Sequence, residues 1–263
     1  MSRPLLAVAL AGMLLLAGCS GGTGTATEPT VNDSTTTTAT DAAGTATPPS
    51  KLSFAPGTSA DGVVNATALV EAHLSALNAS DYRVQASQVS GNRTTNILVA
   101  EAGERLRMRS NASTATTNDI WSTADRSITR RGTGDSATYT VAGAGTPAAG
   151  LAENLSSLYV AAPLASVGYG DFAYDGTAEH DGEQLLRFVA TGVNESAVES
   201  ANVSSVSSYD ATLLVSEAGV VHEATIDVTA ESENESRSSS TEYTAATGIE
   251  LDRPSWLSNV PEI

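Results

Sequence analysis

The chain of 263 residues has one cysteine, one lysine, three histidines and only 5% aromatic residues. One cysteine excludes an internal disulfide, so the fold stands without covalent staples and Cys19 is intermolecular, free or modified. The histidines, His73, His180 and His222, fall on a predicted helix, a turn and a strand without metal-ligand spacing, which gives no metal site. A Gly-x-Ser-x-Gly elbow, a phosphate loop and a dinucleotide fingerprint are all missing. Gly143-Ala144-Gly145 lacks the partners that either nucleotide motif requires. No catalytic residue and no cofactor is therefore assigned. Basic residues are scarce as well: 13 against 30 acidic ones leave a formal net charge of -17, which argues against nucleic acid or another polyanion as a partner.

What is present begins with an export signal. Met-Ser-Arg precedes an apolar stretch from Leu5 to Ala17, which then reaches Leu16-Ala17-Gly18-Cys19. About 13 apolar residues fall short of the about 20 that span a bilayer, so the stretch reads as a signal-peptide core over residues 1–18. A small residue before the lone cysteine resembles the lipobox of prokaryotic lipoproteins, which implies that Cys19 receives lipid and becomes the mature N-terminus. The alternative is an uncleaved signal anchor. From 19 to 50 the chain is rich in Thr, Gly and Pro, with almost no large apolar residue. Such a segment cannot offset its chain entropy by burial, and its about 30 residues reach on the order of 30 Å as a tether. The expected location is the outer face of a cell membrane.

Lys51 is the only lysine, and every other positive charge is arginine. Together with abundant Asp, Glu, Thr and Ala, this composition resembles the proteins of salt-loving archaea; the alternative is an acidic protein from an ordinary bacterium. Asn-x-Ser/Thr sequons beginning at Asn65, Asn78, Asn92, Asn111, Asn194, Asn202 and Asn234 are candidate N-glycosylation sites, and two more begin at Asn32 and Asn154.

Residues 51–263 are long enough for one sizeable domain. Val63, Ala66, Leu69, Val70, His73, Leu74 and Leu77 recur at helical spacing and predict a helix over 62–78. The period then changes to two: Tyr82, Val84 and Ala86 alternate with polar residues, as do Leu106 and Met108 with Arg105, Arg107 and Arg109. Further strands are expected near 94–100, 118–123, 126–131 and 136–141. A second helix follows Thr146-Pro147, with Leu151, Leu155, Leu158 and Tyr159 on one face and Pro163 just past its end. Strands resume at 171–180 and 184–191 around His180-Asp181-Gly182-Glu183, a hairpin signal, and then at 208–216, 220–230 and 237–246. In the hairpin turned by Glu217-Ala218-Gly219, Leu213, Val215, Ala224, Ile226 and Val228 are expected to share the inner face. This order of elements implies an α+β architecture, with helices against one face of an antiparallel sheet.

That order, with Leu69 to Leu77 leading into Asp81-Tyr82-Arg83-Val84 and the ending Pro254-Ser255-Trp256-Leu257, resembles haloarchaeal surface lipoproteins and, more distantly, the LolA and LprG lipoprotein carriers. The resemblance implies a curved antiparallel sheet forming an open half-barrel, with two main helices on its concave face and room for acyl chains. A non-enzymatic binding protein for a lipid or other apolar ligand follows as the expected function. A structural or interaction protein of the cell envelope is the alternative, and a membrane-anchored enzyme ranks third. Arg105, Arg107 and Arg109, with Arg126, Arg130 and Arg131 nearby, are candidate contacts for an anionic headgroup or glycan. Cross-strand pairing with Glu101, Glu104 or Asp119 is the competing role. The acidic run Glu231 to Glu235 lacks the glycine and ligand order of a calcium loop.

Overall fold

Alternating apolar and polar residues need a sheet with a dry face, and the chain provides one of eleven strands. The computed structural model describes residues 52–113, 116–143, 159–201, 206–232 and 235–260, all within the compact unit Thr47–Ile263. A short hairpin, β1 (Thr58–Ser59) and β2 (Gly62–Val63), leads into α1 (Ala66–Asn78). The first meander follows: β3 (Tyr82–Ser90), β4 (Arg93–Ala102), β5 (Arg105–Ala112), β6 (Asn118–Ser122), β7 (Arg126–Arg131) and β8 (Thr138–Gly143). A 3-10 turn over Ala162–Tyr169 precedes β9 (Gly170–His180) and β10 (Glu183–Val193). Then come α2 (Glu195–Ala201), β11 (Val206–Val215), β12 (Val221–Ser232), β13 (Glu235–Thr247) and a last 3-10 turn at Ser255–Asn259.

The two meanders join through β3 and β13, giving the order β8-β7-β6-β5-β4-β3-β13-β12-β11-β10-β9 with every described pairing antiparallel. The sheet is curved and open, an α+β half-barrel. Register shifts in the β9/β10 and β11/β12 pairs supply local bends. The β1/β2 hairpin packs against β9: Gly62, at φ 124, leaves no room for a Cβ against the carbonyl of Phe172. An edge strand covered in this way is not a template for another chain.

One face of the sheet carries the main core. A single row across six strands, Phe188, Leu213, Ala224, Tyr243, Ala86 and Ile97, shows how it is built. Leu69, His73 and Leu77 of α1 are buried against this face. The opposite face is polar except at Leu214 of β11, which is buried between Arg187 and Glu223, and toward β4 to β7, where Ala100, Ala102, Trp121 and Ile128 pack beneath Leu251, Trp256 and Leu257 of the C-terminal segment.

One reading of the helices is corrected. α1 starts at Ala66 rather than 62, because Gly62 and Val63 pair with Ser59 and Thr58 and because Asn65 caps the helix, its side chain accepting from the Ala68 amide at 3.0 Å. Pro163 lies just past the helical residues 159–161, as expected, and sits in the Ala162–Tyr169 turn, buried with Leu164 and Val167. Residues Leu151, Leu155 and Leu158 of the second predicted helix lie outside the described residues.

Candidate functional site

The candidate arginines alternate with Leu106 and Met108, so they project from the polar face while those two join the core. Each has a different fate. Arg107 makes a two-point contact with Asp119, Nε to Oδ1 at 3.2 Å and Nη2 to Oδ2 at 2.9 Å. Trp256 donates its indole N–H to the same Oδ2 at 3.0 Å. Arg105 donates to the Leu251 carbonyl at 3.1 Å, so both arginines hold the C-terminal segment on the sheet. Arg109 is exposed and has no hydrogen-bond or ionic partner among the described residues. Register places Asp119 between Arg109 and Arg130, whose Nε is buried without a hydrogen-bond partner. Arg131 donates to the Asn118 side chain at 3.4 Å, and Arg126 is exposed.

Next to Arg109 the polar face is hollowed. One hollow of about 440 Å³ is lined by Gln85, Ser87, Asn96, Leu98, Arg109, Asn111, Glu242 and Thr244. A second, of about 410 Å³, shares Gln85 and Thr244 and adds Arg83, His180, Asp181, Glu183 and His222. In the second, the rings of His180 and His222 lie 6.2 Å apart. Glu223 stands 3.5 Å from His180 Nδ1, and Asp181 stands 3.7 Å from Nε2. Burial lowers the pKa of His222 below its usual 6.5, with Glu183 pulling the other way. Among the described residues no group of three or more His, Cys, Asp or Glu is placed to hold a metal ion.

His73 is fully buried and spoken for. Val221 donates its amide to Nδ1 at 3.1 Å, so Nε2 carries the ring proton and donates it to Tyr243 Oη at 2.7 Å. Burial, with the nearby charge of His222, lowers its pKa to about 4. Burial also raises the pKa values of Tyr209 and Tyr243.

Asn65, Asn78, Asn92 and Asn194 are exposed, whereas Asn111 is half-buried in β5. Asn65 and Asn194 both cap helices through Oδ1, which leaves Nδ2, the atom a glycan would join, uncommitted by the cap. Cys19, Asn202 and Asn234 lie outside the described residues, as do Asn32 and Asn154. No described helix is long and apolar enough to cross a membrane. The hollows were not legible in the residue pattern. Alternation shows which residues face outward, but not which strands bring them side by side.

An open antiparallel half-barrel with a helix on one face and a hollowed polar face on the other defines the class of this protein. The chain belongs to a family of unknown function, DUF7537, whose model matches residues 4–260. No curated protein matches it. Among solved structures it is similar to LprF from Mycobacterium bovis, at 12% identity and a TM-score of 0.39, over 74% of this chain and 98% of that one. A DUF1329 family protein from Desulfovibrio piger is 12% identical with a TM-score of 0.24, over 73% and 95%. MucB in complex with MucA(peri) is 12% identical with a TM-score of 0.30, over 70% and 57%.

Proposed function

We propose that this chain is a membrane-anchored, extracytoplasmic binding lipoprotein without catalytic activity, whose ligand is a lipid or another apolar molecule held against the inner face of the half-barrel. The anchor is lipid on Cys19, followed by the 19–50 tether. One observation carries the ligand: the apolar surface of the inner face continues past its buried centre. Ile97, Ile120, Val206 and Val228 pack on the core yet stay only half-buried. Covering such a margin with an acyl chain is favourable by about 25 cal/mol per Å² removed from water. Arg105, Arg107 and Arg109 stand on the other face, so a headgroup bound to them would not share a site with that chain.

Native mass spectrometry of the full chain purified from its source cells, followed by organic extraction, tests this. The expected result is a stoichiometric mass beyond the anchor that extracts as a lipid. A folded polypeptide carrying only its anchor and glycans would overturn it. It would favour the second reading, a structural or interaction protein of the envelope. One observation supports that alternative: the small inward residues Ala86, Ala190, Ala211 and Ala224 are only 7%, 1%, 6% and 1% exposed, so the room they leave is filled by protein.

A further inference from the structure

We infer that the outer, polar face of the sheet carries a binding trough for a neutral saccharide, on the side opposite α1. The two hollows meet at Gln85 and Thr244 and so form one trough whose parts, about 440 and 410 Å³, each have the size of a small-molecule site. Register sets its floor plan. Glu242, Ser87, Asn96 and Asn111 form one row across β13, β3, β4 and β5, and Thr244, Gln85, Leu98 and Arg109 form the next.

Sugar hydroxyls both donate and accept, and they come in adjacent pairs. The trough answers with planar groups that do the same: the amides of Gln85, Asn96 and Asn111 each offer an acceptor oxygen and two donor hydrogens. Glu242 supplies acceptors and Arg109 supplies donors at opposite ends of the two rows. None of these six is committed elsewhere by a described hydrogen bond except the β-ladder of its own backbone; the sixth, Ser87, adds a hydroxyl.

Phosphate is a poor occupant by the same inventory. Glu242 lines one hollow, Asp181 and Glu183 line the other, and the chain carries a net charge of -17. A dianion there meets more carboxylate than guanidinium, whereas a neutral polyol meets no such repulsion. An acyl chain is excluded because Leu98 is the one large apolar side chain projecting from these rows.

The test is a printed array of neutral and acidic glycans probed with the full chain in molar KCl, its folded state checked by circular dichroism. Inorganic phosphate serves as competitor. Retention of neutral glycans is expected, with phosphate unable to displace them. Binding should fall tenfold or more in both Glu242→Gln and Asn96→Ala, whose side chains are exposed, and stay unchanged in Glu71→Gln, an exposed position of α1 across the sheet from the trough. Failure of the folded chain to retain any glycan overturns the inference. Displacement by phosphate, or wild-type binding by both trough variants, overturns it equally.

Discussion

His73 occupies a position that apolar helical spacing would otherwise give to leucine, and it is tolerated there because both ring nitrogens are used. Its proton on Nε2 goes to Tyr243 and its lone pair on Nδ1 takes the Val221 amide. Protonation would put a second hydrogen where the Val221 N–H already points, at a side chain with no exposed surface. The folded-state pKa of about 4 lies below the 6.5 of an unburied ring, so between those values the unfolded chain binds the extra proton. Stability from the neutral ring is therefore complete above pH 6.5 and is lost as the pH falls to 4, by about 3 kcal/mol at about 1.4 kcal/mol per unit. Denaturant midpoints of the wild type and His73→Gln, taken across that window in constant salt, isolate the effect from the carboxylates. The wild-type advantage should shrink by about 2 to 3 kcal/mol toward pH 4, and an unchanging gap would assign the acid sensitivity to other groups.

Among the elements, the C-terminal segment is held less by propensity than by one carboxylate. Asp119 is 3% exposed and takes three hydrogen bonds, two from Arg107 and one from Trp256. Asp119→Ala leaves the guanidinium and the indole N–H without their partner and should cost about 2 to 4 kcal/mol, Arg107 being partly open to water. Trp256→Phe keeps most of the apolar contact and loses one bond, so about 1 to 2 kcal/mol is expected. Urea midpoints at unchanged slope check this ranking, and a reversal would show that packing of Trp256 rather than its hydrogen bond fixes the segment. None of this was readable in Pro254-Ser255-Trp256-Leu257, because the partner lies 137 residues away. Local signals did better. The hairpin expected from His180-Asp181-Gly182-Glu183 forms with His180 opposite Glu183, and Asp181 and Gly182 take the positive φ values, 50 and 83, that a two-residue turn demands. Leu213, Val215, Ala224 and Ile226 share the buried face as alternation requires, and only Val228 remains half-buried. What alternation could not supply was the pairing of β3 with β13, which closes the two meanders into one sheet. That pairing brings Gln85 beside Thr244 and Ser87 beside Glu242. The outward set Arg83, Gln85 and Ser87 was legible, but the trough they line was not, since strand adjacency over such separation is decided by the whole core.

At the scale of the whole molecule, charge sets the conditions under which these contacts exist. With 30 acidic and 13 basic residues, one-to-one pairing would still leave 17 carboxylates without a cation, the difference 30 − 13. Each exposed pair contributes only about 0 to 1 kcal/mol, so Arg187 with Asp175 at 2.9 Å does little to offset the remaining repulsion. Screening can do more. The Debye length falls from about 10 Å at 0.1 M to about 3 Å at 1 M salt, shorter than most distances between surface charges. Thermal unfolding of the full chain in KCl should therefore shift upward from 0.1 to 1 M and level off beyond it, if screening is the cause, because the repulsive range has by then shrunk to contact. NaCl at equal ionic strength should give the same curve. A continued rise in molar sulfate would come from strengthened apolar burial instead. A midpoint that does not move with salt at all would mean that the acidic surface is accommodated without screening, and the compositional case for a saline habitat would then have no physical support in this chain.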